Sequence, residues 1–360
     1  MKIPETMKAM VTMSHGDLDQ MVLHENWPRP DPAADEVLIR VGACGLNNTD
    51  VNTRSGWYSK TVTDATTGGA FAEVGKDDPT WGGAPITFPR IQGADVCGEI
   101  VAVGENVDPS RIGERVITDN WLRDADDADD MNKTGYFGSE RDGGFAEYTT
   151  TPARNAVPIK SNLSDAELAT FSCSYSTAEG MLVRANVTAR DTVLVPGASG
   201  GVGGALVQLA KRRGARVIAM ASDTKHAEVA ALGPDRILPR APDDLRVALG
   251  SEEITVVADV VGGPYWPHFI DILERGGRYT CSGAIAGPMV ELDLRTFYLR
   301  DLTFTGSTVI APNVMTNLVR YIEQGEIKPA LAATYPLEQL REAQAAFIAK
   351  RHTGNIVVVP

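Results

Sequence analysis

Three things missing from this chain narrow its function before any motif is read. Its four cysteines, Cys44, Cys97, Cys173 and Cys281, lie far apart and form no CxxC pair. That excludes the usual structural zinc knuckle or redox disulfide and reads as buried thiols in a reducing compartment. Positive charge is in deficit: 34 Lys and Arg against 47 Asp and Glu give a net charge of -13. Such a surface repels phosphate backbones and anionic lipid, so neither nucleic acid nor membrane is an expected partner. No apolar run approaches the roughly 20 residues of a membrane span, and the N-terminal "MKIPETMKAMVTMSHG" has no apolar core after its lysines. The expectation is a cytoplasmic protein whose partner is a small molecule.

The 360 residues, 43% of them hydrophobic, are enough for two domains, with no internal repeat and no low-complexity linker. From Glu36 to Ile117 the pattern is short strands and glycine turns. "EVLIRVGACG" alternates Val37, Ile39 and Val41, and "VCGEIVAVGENV" repeats the period of two. Two irregular segments interrupt this half, Lys60 to Pro89 and the acidic Asn120 to Asp142. Both exceed ordinary loop lengths. The acidic one reads as a mobile surface excursion; the first, with Trp57, Trp81 and Phe88 in or beside it, reads as a wall of a substrate pocket or as a surface or dimer-contact loop.

After Ser164 the rhythm becomes apolar strand, glycine turn, amphipathic helix. "DTVLVPGASGG" leads into "GALVQLAKRRGA", "RVIAMA" into "TKHAEVAALG", and "ITVVADVVGG" into "YWPHFIDILERGG", followed by "RYTCSGAIAG". That alternation specifies a parallel sheet covered by helices. "DLTFTGST" adds a strand, "NVMTNLVRYIEQG" and "LEQLREAQAAFIAKRH" read as helices, and "GNIVVVP" as a last strand.

Gly197, Gly200, Gly201, Gly203 and Gly204 fall between the first of these strands and its helix. Glycines there let the backbone turn and approach a pyrophosphate, which sits on N–H groups at the helix start. The first glycine of the usual G-x-G-x-x-G is replaced by Ala198, but the strand before and the helix after supply the context the motif needs. Ser199, Gly200, Gly201 and Val202 are therefore the expected cofactor contacts. The second strand ends, by counting, at Ala221, where an acidic residue would favour NADH. Ser222 and Lys225 follow instead, which suits the 2′-phosphate of NADPH; Asp223 close behind leaves NADH open, and Lys225 also reads as a solvated first-turn lysine.

Asp191, Leu194, Ala198 to Gly201, Gly203, Gln208 and Lys211 together resemble the signature of the quinone oxidoreductase (zeta-crystallin) branch of the medium-chain dehydrogenase/reductases, with Arg190 the one departure. "PRIQGADVCGEIVAVGENVDPSRIGERVI", "DGGFAEYTTTPARNAVPI" and "GNIVVVP" match further landmarks in order, so the resemblance covers nearly the whole chain. It implies an α/β protein: a GroES-like β-rich catalytic domain from residues 1–173 and 310–360, and a Rossmann doubly wound parallel-sheet domain, residues 174–309, inserted between. The expected assembly is a homodimer joined through the edge strand near Thr303.

Zinc alcohol dehydrogenases of the same superfamily hold their metal with a cysteine in G-x-C-x-T-D, a histidine in G-H-E and a cysteine in C-G-x-S-T. This chain reads "GLNNTD", "GAD" and "CSYST", placing Asn47 and Ala94 at the first two positions and keeping only Cys173, with Asp95 in place of the glutamate. One thiolate and an amide are a poor zinc site. The acidic segment, which matches the structural-zinc lobe, has no cysteine, so no metal is expected. A distorted site using Cys173 and Asp95 is the remaining alternative.

Without a Lewis acid, a quinone or an α,β-unsaturated carbonyl is an easier hydride acceptor than a simple carbonyl, because charge spreads into an enolate or quinol anion. Asn47 and Asp50 match the N-x-x-D of quinone and enoyl reductases, and Tyr58 falls at their substrate tyrosine, with Ser59 in place of a proline. The resemblance assigns Asn47 to the nicotinamide ribose, Tyr58 as hydrogen-bond donor or proton source and Thr49 as relay. For Tyr58 an exposed loop aromatic is the alternative; Asp50 reads as a helix cap rather than a base. Thr177, Ser282, Gly283 and Ile285 are expected to face the nicotinamide from beyond the strand ends. The expected activity is NADPH-dependent reduction of quinones or enones. An alcohol or aldehyde dehydrogenase of the zinc type and a crystallin-like NADPH-binding protein without turnover are its rivals.

Overall fold

The computed structural model describes residues 3–66, 69 and 85–360. The chain divides into two compact units. One comprises Met1–Val62, Thr67–Cys173 and Ala311–Pro360, the other Thr63–Thr66 and Ser174–Ile310.

The first unit is built on a sheet whose main path runs Ala156–Pro158, Arg115–Thr118, Asp95–Val103, Glu36–Gly45, Asn355–Val359 and Leu331–Pro336, with Tyr148–Pro152 also paired to Glu36–Gly45. The alternating Val37, Ile39 and Val41 face its core, but Leu38, Ala43 and Cys44 are buried as well. Its pairing with Asp95–Val103 shifts register at Leu38/Ile39 and Val41/Ala43, so the simple alternation does not hold along the strand. The core gathers Met7, Val37, Ile39, Val96, Ile100, Val116, Phe137, Phe145, Phe347 and Ile356. Burying side chains of this size contributes about 1.5–3 kcal/mol each. The C-terminal strand joins this sheet beside the end of Glu36–Gly45, pairing Val358 with Cys44 and Val357 with Gly45. The chain end thereby braces the loop that leads to Asn47.

The acidic stretch lies largely at the surface and carries local structure. Trp121–Leu122 and Gly135–Tyr136 pair as a hairpin, and the aspartates between them cap their own turns. Asp124 accepts from the backbone N–H of Asp126 and of Asp127, and Asp130 from that of Asn132. The thiols also differ from expectation: Cys44 and Cys97 are buried, whereas Cys173 and Cys281 are only partly so.

The second unit holds six strands in the spatial order Arg236–Pro239, Arg216–Ala221, Thr192–Val195, Ile254–Asp259, Leu273–Cys281, Thr303–Gly306, and every pairing is parallel. In chain order this is third, second, first, fourth, fifth, sixth, the doubly wound dinucleotide arrangement. The order reverses between Thr192–Val195 and Ile254–Asp259, and sheets of this kind bind their ligands beyond the carboxyl ends of the strands at such a reversal. The helix expected through Glu274 and Gly277 stops at Asp271, and Leu273–Cys281 is a strand. Gly276, at φ +74°, permits the irregularity while Leu273 and Tyr279 anchor the strand in the core. The sixth strand lies at the sheet edge. Just before it, Met289, Val290, Leu294, Tyr298 and Leu299 are exposed. Among the described residues no helix is long and apolar enough to cross a membrane.

Candidate active site

The site in the first unit starts where the central strand ends at Gly45. Leu46 donates its N–H to Ile356 O at 2.9 Å, and the chain then enters the helix Asn48–Ser55. Asp50 Oδ2 accepts the backbone N–H of Asn47 at 2.7 Å, and its Oδ1 accepts from Gly93 N at 3.2 Å. Asp50 is thus the helix cap the sequence suggested. Burial pushes its carboxyl up to about 7, with Asp95 adding repulsion against these two hydrogen bonds.

Thr49 and Asn52 stand three residues apart on one face of this helix, and both side chains reach toward the Tyr58 hydroxyl. Burial raises the Tyr58 pKa; these two polar groups partly offset it, while Cys173 and Asp50 raise it further. The ring is half-buried and meets Trp57 edge to face, 5.7 Å between centroids. Tyr58 is therefore a fixed, neutral phenol within a polar cluster rather than a free loop aromatic. Asn52 was invisible to motif matching, although its spacing from Thr49 was the available signal. Phe88 packs edge-on against His15 at 4.9 Å. Trp81 and most of the proposed pocket wall lie outside the described residues.

The amide of Asn47 is not isolated. Its Nδ2 donates to Asp95 Oδ2 at 3.0 Å, while Asp95 Oδ1 accepts from Asn120 Nδ2 at 2.9 Å and from Cys173 N at 2.8 Å. Asp95 is fully buried, and burial lifts its carboxyl to about 6 against those donors. These contacts decide whether zinc fits. Asn47 turns an amide N–H into the site, Ala94 offers a methyl group, and both Asp95 oxygens already accept hydrogen bonds. Among the described residues no three His, Cys, Asp or Glu side chains gather as a metal site needs. The donor set does not fit a zinc ion.

In the second unit the glycine cradle has two parts. Gly197 turns the chain at φ +67°, immediately before Ala198, so the tight turn of the fingerprint is present one position earlier than the motif count placed it. A Cβ on Gly203 would lie 2.2 Å from Gly197 O, so this position must be glycine for the helix to pack on the turn. Gly200 is exposed at the helix N-cap, with Ser199, Gly201 and Val202 half-buried around it. The N–H groups at the start of the helix Gly201–Arg212 are thus placed at an open surface where a pyrophosphate would be held. A dinucleotide fits this cradle.

The second strand ends at Ala221, as counted, and Ser222 is followed by a short turn carrying Asp223 and Lys225. Asp223 points outward, its side chain 85% exposed, 3.6 Å from His226. Lys225 has its pKa lowered, first by burial and also by Arg240, against Glu228. Arg240 follows the third strand, whose Pro239 is in register with Ala221. Ser222, Lys225 and Arg240 therefore gather at one end of the sheet. The sequence carries no strand signal over Arg236–Pro239, so nothing in it alone links Arg240 to this end of the sheet.

At the fourth and fifth strand ends, Asp259 is fully buried. It accepts from Val261 N at 2.7 Å, Gly262 N at 3.1 Å and the Tyr279 hydroxyl at 2.8 Å. These bonds shape the loop carrying the predicted residues: Ser282 N–H donates to Asp259 O at 3.3 Å, Ile285 N–H to Val260 O at 3.3 Å, and the Cys281 thiol to Gly283 O at 3.2 Å. Thr66 N–H reaches Ile285 O at 2.9 Å. Thr177 is half-buried on the helix Ser172–Arg184.

A β-rich unit with an inserted parallel dinucleotide sheet and its glycine cradle defines a nucleotide-dependent oxidoreductase. Comparison with known proteins gives the family. The profile described as "Alcohol dehydrogenase GroES-like domain" matches residues 33–161, and that described as "Zinc-binding dehydrogenase" matches residues 201–324. A solved structure from Sinorhizobium meliloti 1021, described provisionally as an alcohol dehydrogenase, is 46% identical with a TM-score of 0.90, over 99% of this chain and 98% of that one. Acryloyl-coenzyme A reductase of Metallosphaera sedula is 27% identical over 91% of this chain and 93% of its own length. The NADPH-dependent alkenal/one oxidoreductase of Arabidopsis thaliana is 27% identical over 99% and 81%. The chain belongs to the medium-chain dehydrogenase/reductase superfamily and is an NAD(P)-dependent oxidoreductase.

Proposed function

We propose that this protein is an NADPH-dependent reductase of quinones or α,β-unsaturated carbonyls that works without zinc. The observation that carries the reading is the Asn47–Asp95 hydrogen bond, which fills the metal position with an amide and a carboxylate already committed to each other. A simple carbonyl would then have no Lewis acid for its developing alkoxide, whereas a conjugated acceptor disperses the charge itself. Similarity to acryloyl-coenzyme A and alkenal/one reductases supports the same substrate class.

A nicotinamide dinucleotide held at this cradle would supply the hydride. Ser199 to Val202 hold the pyrophosphate, and Ser222 and Lys225 with Arg240 take the 2′-phosphate, while the outward Asp223 leaves the ribose edge without a carboxylate. Thr177, Ser282, Gly283 and Ile285 flank the nicotinamide. Asn47, with one amide proton on Asp95, has its second for the nicotinamide ribose. Tyr58 donates a hydrogen bond or proton to the acceptor oxygen, oriented by Thr49 and Asn52. The protein works in a reducing cytoplasm as a homodimer. Its contact is the edge strand Thr303–Gly306 beside the exposed Leu294, Tyr298 and Leu299.

The test is metal analysis of purified protein followed by a panel of quinones, enones and aldehydes with NADPH and NADH. Turnover of quinones or enones that survives chelation is expected. Stoichiometric zinc lost together with activity would establish the zinc alcohol dehydrogenase instead. NADPH binding without oxidation by any of these substrates would mean a binding protein.

A further inference from the structure

Asp95 draws together three segments far apart in sequence. Its carboxylate takes Asn47 Nδ2 at 3.0 Å from the loop that opens the helix of Thr49 and Asn52. It takes Asn120 Nδ2 at 2.9 Å from the root of the acidic hairpin, and Cys173 N at 2.8 Å from the first turn of Ser172–Arg184. Asn120 is itself steadied, its Oδ1 accepting from Thr118 Oγ1 and its Nδ2 lying 3.3 Å from the Tyr136 hydroxyl. Room for the carboxylate comes from Gly45 opposite, where a Cβ would lie 3.1 Å from Asp95 Cβ and 2.2 Å from Ala169 O. A fully buried carboxylate is an expensive way to fill space, since desolvation costs several kcal/mol unless donors surround it. Here three donors do, and two of them come from Asn47 and Cys173, two of the positions that carry ligands in the zinc enzymes.

We propose that Asp95 is the positioning residue of this reaction, fastening by hydrogen bonds the segments that a metal ion would fasten by ligation, and acting through the orientation of the Asn47 amide. This rests on the reading of the chain as a zinc-independent reductase in which Asn47 works at the cofactor. Asp95→Asn keeps the size of the side chain and one acceptor oxygen. With that oxygen serving Asn120 and Cys173 N, its new amide N–H group faces the Asn47 amide N–H, and Asn47 loses its anchor.

The experiment is a double-mutant cycle in kcat and KM, using wild type, Asn47→Ala, Asp95→Asn and the double variant, with NADPH and the best quinone or enone found for wild type. Each single variant is expected to lose about 10- to 100-fold in kcat, the range for a misplaced reacting group, with KM for the acceptor little changed. The double variant is expected to be no worse than Asn47→Ala, because Asp95 has nothing left to position. Losses that multiply, or an Asp95→Asn variant with wild-type kcat, would overturn the inference while leaving the reductase reading intact. A wild type that reduces neither quinones nor enones would overturn both.

If Asp95→Asn does not fold, the reversed pair Asn47→Asp with Asp95→Asn restores one N–H···O bond at unchanged charge. Folded protein with kcat near that of Asn47→Ala supports the inference, whereas wild-type kcat contradicts it.

Discussion

Asp50 Oδ2 sits 2.7 Å from the backbone nitrogen of Asn47, so the residue that caps the helix also fixes the backbone of the residue proposed to meet the cofactor. The cap is buried, and its carboxyl is raised from 3.8 to about 7. Between those values the folded protein holds a proton that the unfolded chain releases. The stability Asp50 contributes is therefore complete below pH 3.8 and is lost as the pH rises through 7. Melting temperature should fall from pH 5 to pH 8 in the wild type, and Asp50→Asn should fall less. Between pH 5 and pH 8 the variant's fall should be smaller than the wild type's by on the order of 3 °C. Equal slopes in a pH series of thermal melts would remove Asp50 as the group responsible.

Tyr58→Phe deletes only the hydroxyl that Thr49 and Asn52 approach. If that hydroxyl delivers the proton or hydrogen bond, kcat should drop about 100-fold, with NADPH affinity kept. Turnover equal to wild type would take the tyrosine out of the chemistry and leave the fold and cofactor assignments as they are.

Gly203 and Gly200 separate packing from cofactor approach. Gly203→Ala puts a methyl group against the Gly197 carbonyl, a backbone atom that cannot swing aside, so the protein without cofactor should melt lower and bind NADPH more weakly. Gly200→Ala meets nothing closer than 3.6 Å and has φ −83°, so its melting temperature should stay put while NADPH affinity falls. A Gly200→Ala variant that binds NADPH like wild type would show that the pyrophosphate does not approach this N-cap.

Much of this was legible in the sequence because it follows from local pattern. The βα alternation after Ser164 fixes a parallel sheet, and the end of the second strand at Ala221 is countable because Val217 to Ala221 is a continuous apolar run. What escaped depended on pairing across the fold. Arg236–Pro239 is only four residues long and ends in proline, too little to announce a strand, so nothing in the sequence gives Arg240 a neighbour. Leu273–Cys281 contains a glycine pair that reads as a helix end when only local preference is weighed. In the first unit, "GAD" showed that a histidine was missing, but not that Asp95 would meet Asn120 and the N–H of Cys173. Those partners are 25 and 78 residues away, and no periodicity connects them.

Arg240 and Lys225 give the cofactor prediction its sharpest form. Both cations stand at the end of the second and third strands, close enough for Arg240 to depress Lys225. Two cations forced together without a ligand repel each other, and a 2′-phosphate between them would relieve that. Charged hydrogen bonds are worth about 1.5–3 kcal/mol, so Lys225→Ala and Arg240→Ala should each weaken NADPH about 10- to 100-fold. NADH, lacking the phosphate, should bind as before. Fluorescence titration of both nucleotides at two salt concentrations measures this directly, since the NADPH advantage should shrink as salt screens the phosphate. Equal losses for NADH and NADPH would mean that the two cations support the loop rather than the phosphate, and the choice of cofactor would pass to Asp223.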